Sequence, residues 1–531
     1  MAAISDIMVY LRFPSLFLPL ILLVILRITR QWLTNRRKKS LLPIPPGPKP
    51  WPLVGSLPEI FRSGKPAFRW IHNFMDETNT EIASIRLGGT YVIPVTSPEL
   101  AREFLKKQDS IFSSRPLCMS ADLISNGYLT SVFLPYGQQW TKMRRILTSH
   151  VVSPARQHWL HDKRAEEANH LLRYIYNQCS KGAAVNVRMA TQHYCGNVTK
   201  KMLFNKRYFG SGTEDGGPGA VDEELLQAVF TILRYLYGFG VADYIPWLSI
   251  FDIDGHKSII TKALAVMRKH LDTEVDERIQ MWKDGTKAVE EDILDVLLML
   301  KDNAGTPMLN DTEIKTQLLE IMIATIDNPS NAVEWALAEM INQPKLLEKA
   351  VEEIDKVVGR DRLVEESDLP KLNYIKACVK EGFRLHPIAP FTPPHMSMED
   401  TVVGGYFIPK GSQVLISRIG LGRNKRAWED PLKFKPERHL KDDGGEVVLT
   451  DSELKMLSFS AGRRGCPGVR LGSLMSAMLM ARLVQGFTWS VPADLPCIDL
   501  TESKHDLFLE NSLFALAKPR LYENLYNELA I

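Results

Sequence analysis

The chain has 531 residues, of which 45% are hydrophobic and 24% are charged, and its formal net charge is +3. This balance is that of a globular protein with a large core, and the nearly neutral charge excludes the strongly basic surface of a nucleic-acid-binding protein. The six cysteines show no C-x-x-C spacing, which argues against a zinc cluster or a disulfide framework and suits a reducing compartment.

The first 27 residues are predicted to form a membrane anchor. An apolar stretch at 7–26 has about the length that crosses a hydrocarbon layer of ~30 Å, although Arg12 and two prolines interrupt it. No small-residue cleavage site follows this stretch, whereas basic residues do, including R-R-K-K at 36–39. Because basic flanks stay in the cytosol, we expect a single-pass anchor in the endoplasmic reticulum membrane with a cytosolic body. A cleaved secretory peptide is the alternative.

Residues 28–56 are predicted to be a basic and proline-rich linker. The stretch L-P-I-P-P-G-P-K-P-W-P-L-V-G at 42–55 holds too many prolines for a helix or a central strand. A segment of this composition is stiff and extended. We therefore expect it to hold the body of the protein at a set distance from the membrane.

Residues 57–531 are predicted to form one mainly α domain with small β-sheets. Helical periodicity dominates, most clearly at 311–342 and 368–385. Strand-like pieces are short and few, and they lie at 83–87, 91–95 and 413–417. The chain shows neither an internal repeat nor a second change of composition, which favours a single domain.

Two residue pairs at helical spacing stand out along this domain. Trp140 and Arg144 are four residues apart in W-T-K-M-R, and Glu381 and Arg384 are three apart in K-E-G-F-R, so each pair shares one helix face. Glu381 and Arg384 can form a charge-assisted ion pair. Such pairs are common on exposed helices, so their meaning depends on the motifs around them.

The stretch I-M-I-A-T-I-D-N-P-S-N-A-V-E-W at 321–335 keeps helical phase on both sides of Pro329. Proline removes one helical hydrogen bond and clashes with the preceding turn, so we expect a kink at this residue. The alternative is a helix end at D-N-P, followed by a new helix with Ser330 as its cap.

The loop F-S-A-G-R-R-G-C-P-G at 459–468 places Cys466 among glycines, directly before an apolar run. The glycines let the backbone curl around one side chain, and Pro467 stands where the chain enters a helix. Backbone N–H groups and a helix N-terminus favour the thiolate form of a cysteine. We therefore predict that the loop presents Cys466 to a metal centre. A buried, inert cysteine in a glycine-rich turn is the alternative.

The complete loop pattern resembles the heme-thiolate motif of the cytochrome P450 family. Two further motifs stand before it in the family's order: E-x-x-R, formed by Glu381 and Arg384, and P-E-R-H, whose Arg438 would close a Glu–Arg–Arg cluster. The loop pattern F-x-x-G-x-R-x-C-x-G is formed by Phe459, Gly462, Arg464, Cys466 and Gly468.

The resemblance implies a cytochrome P450 fold, heme b with Cys466 as the axial ligand of its iron, and electrons from NADPH through NADPH–cytochrome P450 reductase. His395 stands in F-T-P-P-H where most members carry arginine, so its charge is expected to depend on pH near neutrality. A surface histidine in a proline-rich loop is the alternative. The residues implied to bind the cofactor are Cys466, Phe459, Arg464, Trp140, Arg144 and His395.

The 321–335 stretch departs from the family, most of whose members carry A-G-x-D-T-T with a threonine that helps to deliver protons. Aligned on Asp327, the glycine becomes Thr325 and the threonines become Asn328 and Pro329. Together with P-E-R-H and two further segments, G-Y-F-I-P-K-G-S and G-L-G-R-N, this departure resembles a plant subgroup. Its members convert amino acids to aldoximes by hydroxylating the amine twice, with decarboxylation and dehydration following. The catalytic candidates are Thr325, Asp327 and Asn328.

A zwitterionic substrate fits this departure, because its own exchangeable protons can take part in proton delivery and make a helix alcohol less necessary. The segments 117–133, 388–393 and 507–513 are expected to face the substrate. They are mostly apolar, which favours a hydrophobic L-amino acid: Phe, Tyr, Trp, Val, Ile, Leu or Met. The reductase is expected to dock on the cysteine side, where positive charge gathers from Lys142, Arg145, Arg463 and Arg470.

Three alternatives to an amino acid N-monooxygenase keep the same motifs. The first is a P450 hydroxylase of an apolar plant metabolite, such as a terpenoid or fatty acid. The second is a peroxide-rearranging enzyme that needs no reductase. The third is a heme-binding sensor or carrier without turnover. A product assay with an amino acid and a reductase driven by NADPH separates them all.

Overall fold

The computed structural model of the chain describes residues 42–207, 217 and 219–529. The predicted anchor at 1–27 and the beginning of the linker lie outside these residues, so both remain predictions. Within the described ranges, no helix combines the length and the apolar character required to cross a membrane.

The described part of the linker is packed on the domain and is not a free spacer. The carbonyl of Pro43 accepts a hydrogen bond from the Phe407 N–H at 2.8 Å, and that of Pro46 accepts one from the Ser84 N–H at 2.8 Å. A side chain at Gly47 would collide with the Ser84 carbonyl, with its Cβ at 1.8 Å from the oxygen. The proline-rich segment is therefore held against the domain from about residue 43 onward.

Helices dominate the described chain, which confirms the prediction of a mainly α fold. Those of the first half are α1 (Leu57–Arg62), α2 (Ala67–Glu77), α3 (Pro98–Arg102), α4 (Met119–Ile124), α5 (Gln138–Ile146), α6 (Pro154–Trp159), α7 (His161–Ser180), α8 (Val187–Phe204), α9 (Ala220–Tyr235), α10 (Val241–Tyr244) and α11 (His256–Lys283). Those of the second half are α12 (Ile293–Met299), α13 (Asp311–Ile341), α14 (Pro344–Val357), α15 (Asn373–Leu385), α16 (Arg418–Gly422), α17 (Val469–Gly486) and α18 (Glu523–Asn527).

Shorter helical turns complete the helical part. They are π-helical at Glu103–Lys107 and Leu147–Val151 and 3₁₀ at Pro246–Phe251, Leu369–Lys371 and Pro436–His439.

The strands form three small sheets. The largest has the order β1-β2-β7-β4, in which β2 and β7 are parallel and the two outer pairs are antiparallel. The other sheets have the orders β3-β9-β8 and β5-β6. The strands are β1 (Ile85–Leu87), β2 (Thr90–Val95), β3 (Val185–Asn186), β4 (His395–Met396), β5 (Thr401–Val403), β6 (Tyr406–Ile408), β7 (Gln413–Ile416), β8 (Phe487–Ser490) and β9 (Phe514–Pro519).

Helix α13 is the centre of the core. It has 31 residues and begins with a capping box between Asn310 and Glu313, so it extends roughly 46 Å. It packs against α8, α15 and α17, and residues on all its sides are buried. The indole N–H of the fully buried Trp335 donates to the carbonyl of Leu507 at 2.9 Å. This helix therefore carries the 321–335 stretch through the middle of the molecule.

Pro329 lies inside α13, so the alternative of a helix end at D-N-P is wrong. The Ser330 hydroxyl donates to the carbonyls of Ile326 and Asp327, at 3.0 and 2.9 Å, and caps no new helix. Packing on several sides holds the helix together where proline removes one N–H. Because proline has no N–H, the Thr325 carbonyl lacks its usual helical donor.

The helix predicted over 368–385 is divided into two. Residues 369–371 form a 3₁₀ turn, and α15 begins only at Asn373. Leu372 separates them with a non-helical backbone, at φ −87° and ψ 68°. The spacing of apolar residues alone does not reveal this break, because Pro370 and Leu372 continue the helical spacing of the apolar residues in α15.

Candidate active site

The cysteine loop is held in a tight curl at the start of α17. The Cys466 N–H donates to the Phe459 carbonyl at 2.8 Å. Gly462 has φ +71°, and a Cβ on it would lie 2.4 Å from the Leu105 carbonyl oxygen and from a carboxylate oxygen of Asp109, so only glycine fits there. The backbone geometry of this loop therefore depends on its glycine pattern, as the sequence indicates.

The environment of the Cys466 thiol contains opposing influences. The side chain is accessible to solvent, yet the surrounding fold desolvates it enough to raise the pKa of the thiol. The Gly468 N–H lowers this pKa, and the nearby guanidinium groups of Arg144 and Arg418 lower it further. The residues around Cys466 thus supply the donor and the positive charges that stabilise a thiolate ligand.

A group of cations lies beside the loop. The buried Arg464 donates to the carbonyls of Ser113 and Leu134, and its guanidinium carbon lies 4.5 Å from the centre of the Trp140 ring. Arg144 donates to the Gly465 carbonyl at 2.7 Å and so ties α5 to the cysteine loop. The structure therefore brings Trp140, Arg144 and Arg464 together, as the resemblance implies.

His395 is buried in β4, so the alternative of a surface histidine is wrong. Its Nδ1 lies 2.9 Å from the Phe112 carbonyl. Burial lowers the pKa of His395 to about 3, and the positive charges of Arg115 and Arg464 contribute. The imidazole is therefore neutral at neutral pH and becomes charged only in strong acid. The expectation of a charge that changes near neutrality is wrong for this environment.

Arg115 belongs to the same group and was not found by sequence reasoning. Its guanidinium is buried and donates to the carbonyls of Pro393 and Pro394, at 2.6 and 2.9 Å. Burial lowers the pKa of Arg115 to about 10. Its only sequence signal is the short S-S-R-P stretch, and no periodicity connects that stretch with the cysteine loop.

The group fits the two carboxylates that a heme carries. Within the described residues, none of Arg115, Arg144 and Arg464 is engaged in an ion pair with a carboxylate, although burial makes each charge costly. The buried Nε2 of His395 also has no hydrogen-bond partner. Bound carboxylates would offset these charges, while Cys466 would supply the ligand for iron.

The predicted Glu–Arg–Arg cluster is formed and buried. Arg384 donates to both oxygens of Glu381, at 2.8 and 2.7 Å, and Arg438 lies 3.1 Å from the same carboxylate. Burial opposes ionisation of Glu381, but the hydrogen bonds from Arg384 and His439 lower its pKa to about 2. The carboxylate is therefore ionised at all ordinary pH values.

His439 is a fourth member of this cluster. Its Nε2 lies 2.7 Å from a Glu381 oxygen, and its ring packs edge-on against Trp428. The guanidinium groups of Arg384 and Arg438 also lie over the Trp428 ring, at 5.3 and 5.8 Å from its centre. The histidine of P-E-R-H, read from the sequence only as a mark of a subgroup, thus has a direct structural contact.

The catalytic candidates on α13 lie on different sides of the helix. Asp327 is buried, one of its oxygens has no partner, and burial raises its pKa to about 7 with a further contribution from Asp506. The Asn328 amide donates to the Ala324 carbonyl at 2.7 Å. The Thr325 hydroxyl contacts Thr199 of α8 at 2.9 Å and does not line the cavity beside the other two.

A cavity of about 1100 Å³ lies next to Asp327 and Asn328. The segment 388–393 lines it throughout, as expected, whereas 117–133 contributes only Cys118 and 507–513 contributes 507–510. The lining also includes 227–239, at the end of α9 and beyond it, for which the sequence held no signal. This wall depends on the tertiary packing of α9, which contacts α11 and α13.

The cavity is less apolar than its sequence segments indicate. Arg188 pairs with the buried Glu334 at 2.9 Å, and Arg234 pairs with Asp506 at 2.6 Å. Arg418 also lines the cavity, near Asp327. The walls therefore combine aromatic and aliphatic surface with a few charged groups, which suits a ligand with both an apolar and an ionic part.

Comparison with known proteins places these features in a family. A family model described as Cytochrome P450 matches residues 45–516. Isoleucine N-monooxygenase 1 of Lotus japonicus is 54% identical over 521 residues, which are 97% of each chain. Tyrosine N-monooxygenase of Sorghum bicolor is 54% identical over 92% of this chain and 88% of its own. Phenylalanine N-monooxygenase of Arabidopsis thaliana is 54% identical over 91% of this chain and 93% of its own.

Proposed function

The chain belongs to the cytochrome P450 family, and on that premise we propose that it hydroxylates the amino group of a hydrophobic L-amino acid twice and so forms an aldoxime. The observation that carries this proposal is the near-full-length similarity to relatives named as N-monooxygenases of isoleucine, tyrosine and phenylalanine. The D-N-P departure on α13 supports it, because a hydroxylase of an apolar metabolite gives no reason for this change. The route belongs to specialised plant metabolism, such as cyanogenic glucoside, glucosinolate or defence aldoxime formation.

The residues beside the cysteine loop would hold the cofactor. Cys466 would ligate the iron of heme b, and Arg464, Arg144 and Trp140 would receive its carboxylates. When bound, the heme supplies oxygen activation, with electrons from NADPH delivered by NADPH–cytochrome P450 reductase. Arg464, which is buried, and Arg144, which is half-buried, hold positive charge at one edge of the site.

Asp327 and Asn328 are proposed to act where the cavity meets α13. A carboxyl group whose pKa is about 7 exchanges a proton readily at neutral pH, so Asp327 can accept and return protons at its unpartnered oxygen. Asn328 offers an amide at the same turn. Thr325 is proposed to be a positioning residue, because its hydroxyl connects α13 to α8 through Thr199.

The final step requires no further oxidation. In the doubly hydroxylated amine, the electron pair of the bond between the α-carbon and the carboxylate becomes the second bond of C=N. Carbon dioxide leaves, and one hydroxyl leaves the nitrogen as water after protonation. The remaining N–OH is the oxime. The protein needs only to hold the carboxylate and to exclude bulk water while these bonds change.

A product assay tests the proposal against its alternatives. The full chain and a reductase are supplied with NADPH and, separately, with hydrophobic amino acids, fatty acids, terpenoids or a lipid hydroperoxide. Aldoxime formed from an amino acid only when NADPH is present is the expected result. If only an apolar metabolite is hydroxylated, the result favours a P450 hydroxylase of such metabolites. Conversion of the hydroperoxide without reductase favours a peroxide-rearranging enzyme, and the absence of any product favours a heme-binding sensor or carrier.

The proposed reductase face is smaller than the sequence indicates. Lys142 pairs with Glu313 at 2.7 Å, and Arg463 pairs with Asp109 at 3.2 Å, so a carboxylate balances each of these cations. Arg145 and Arg470 are exposed and remain to attract an acidic partner. The pairing of Lys142 was invisible in the sequence because Glu313 lies on α13, 171 residues away.

Charge reversal of Arg145→Glu together with Arg470→Glu is expected to slow reduction of the enzyme at low salt. Surface charges act mainly on the association rate, so we expect a decrease of about 10-fold that fades as ionic strength rises. Stopped-flow reduction at several salt concentrations measures it. The control is Lys262→Glu with Lys269→Glu, two exposed cations of α11. Equal rates in both double variants would remove this face from consideration.

An exposed apolar patch is proposed to contact the membrane. Trp247, Ile250, Phe251 and Ile253 are 64%, 86%, 70% and 62% exposed. Neighbouring residues of the same segment, Val241 to Leu248, pack in one cluster with α1 and α2. The patch therefore lies near the N-terminal helices of the described chain, which follow the predicted anchor and linker in the sequence. A large exposed apolar patch of this kind marks an interaction surface.

Deleting residues 1–40 is expected to move much of the protein into the soluble fraction, because about 20 apolar positions are removed. The remaining membrane-bound part is expected to fall further when Ile250→Ser and Phe251→Ser are added. Flotation on vesicles at low and high salt measures both steps. Full, salt-resistant attachment of the truncated double variant would show that other surfaces hold the protein.

A further inference from the structure

Arg418 is fixed in place at the inner part of the cavity. It is the first residue of α16, and its N–H donates to the Pro390 carbonyl at 2.9 Å. The preceding Ser417 accepts from the Gly420 N–H at 2.7 Å and contacts His72 at 2.6 Å. Hydrogen bonds therefore fix the backbone of Arg418 just after the end of β7, and its side chain lines the cavity.

The Arg418 guanidinium has no anionic partner among the described residues. Its Nε is buried and makes no hydrogen bond, although the side chain lines the cavity together with Asp327 and Asn328. Two other arginines of the cavity wall are balanced, Arg188 by Glu334 and Arg234 by Asp506. A buried and unpaired charge is costly, and an anion in the cavity would offset that cost.

Arg418 is separate from the arginines that fit the heme carboxylates. Arg115 and Arg464 repel each other and act on His395, which places them in one group. Arg418 instead lies close enough to Cys466 and to Asp327 for each to favour its charge, whereas burial lowers its pKa. It therefore lies near both the cysteine loop and Asp327 of α13, and it lines the cavity.

We propose that Arg418 binds the α-carboxylate of the substrate and thereby places the amino group beside Asp327 and Asn328. This assignment rests on the proposed function, since it needs an amino acid as substrate. The planar guanidinium matches a carboxylate with two parallel hydrogen bonds, which fixes orientation as well as position. An apolar metabolite would leave the Arg418 charge unpaired.

The same contact is compatible with the order of the reaction. The ion pair holds the carboxylate in place, and the bond to the α-carbon breaks only once the nitrogen carries a hydroxyl that can leave as water. The apolar side chain of the substrate then lies against aromatic parts of the cavity wall, such as Phe230 and Phe508. One cavity thus offers a cation to the carboxylate and apolar surface to the side chain.

The test compares each amino acid with its carboxamide in the heme-loaded full chain. Binding is measured from the change in the heme absorption spectrum, with protein normalised by its reduced carbon-monoxide band. Wild type is expected to bind the amino acid about 10- to 100-fold more tightly than the neutral amide. Arg418→Met is expected to lose this preference while its affinity for the amide is kept. Arg418→Lys keeps the positive charge but loses the two parallel N–H donors of the guanidinium. This variant is expected to keep part of the preference for the amino acid over its amide.

Arg426→Met serves as the matched control, since Arg426 is exposed and pairs with Glu81 outside the cavity. It is expected to leave the preference unchanged. Equal preference in wild type and Arg418→Met, or equal weakening of amino acid and amide, would overturn the assignment while the proposed function stands. If wild type binds no amino acid and forms no aldoxime, the proposed function fails and this inference fails with it.

Discussion

Replacing Cys466 by serine is expected to abolish the reduced carbon-monoxide band that marks a thiolate-ligated heme. A hydroxyl stays protonated where a thiol ionises, so it cannot supply the strongly donating ligand that produces this band. The Gly468 N–H and the nearby charges of Arg144 and Arg418 lower the pKa of this thiol. We expect no aldoxime from the variant, because oxygen activation depends on the same ligand.

Cys118→Ser is the matched control for this experiment. Cys118 also lines the cavity, but burial raises the pKa of its thiol to about 11, and its sulfur contacts the Ser120 hydroxyl at 3.4 Å. Its variant is expected to keep the band and most of the activity. If the band survived in Cys466→Ser and disappeared in Cys118→Ser, the ligand assignment would be wrong.

Restoring threonine at both Asn328 and Pro329 is expected to lower aldoxime formation by about 100-fold. The Pro329→Thr change would return an N–H to the Thr325 carbonyl and alter the course of the helix, which shifts the wall beside Asp327. A misplacement of ~1 Å can cost about 100-fold in rate. The Asn328→Thr change would also replace the amide that now donates to the Ala324 carbonyl. NADPH consumption is expected to become less coupled to product. Product and NADPH are measured in the same reaction.

Two single variants separate the backbone from the side chain in this test. Pro329→Ala restores the N–H without an alcohol, whereas Asn328→Thr supplies an alcohol and leaves the proline in place. We expect Pro329→Ala to account for most of the loss. If the double variant forms aldoxime as fast as wild type with equal coupling, the D-N-P segment is an incidental feature of the helix. The amino acid assignment would then rest on the relatives alone.

Features encoded by local spacing could be predicted from the sequence. A period of three to four residues predicted helix at 311–342 and the shared face of Glu381 and Arg384, and α13 and their buried ion pair agree with this. The cysteine loop was equally readable, because its tight curl places Gly462 at φ +71°, a left-handed conformation that favours glycine.

The sequence by itself determined most of the helices, the cysteine loop and the shared face of Glu381 and Arg384, and the resemblance implied Arg438 as their partner. The charge and availability of single side chains were decided by tertiary structure. His395 is neutral because burial and Arg115 act on it, and Lys142 is neutralised by Glu313 from a distant helix. Arg418 is left unpaired in a cavity built from many segments. The physical reason is that desolvation and ion pairing depend on distances in space, which residues far apart in the chain establish only when the protein folds.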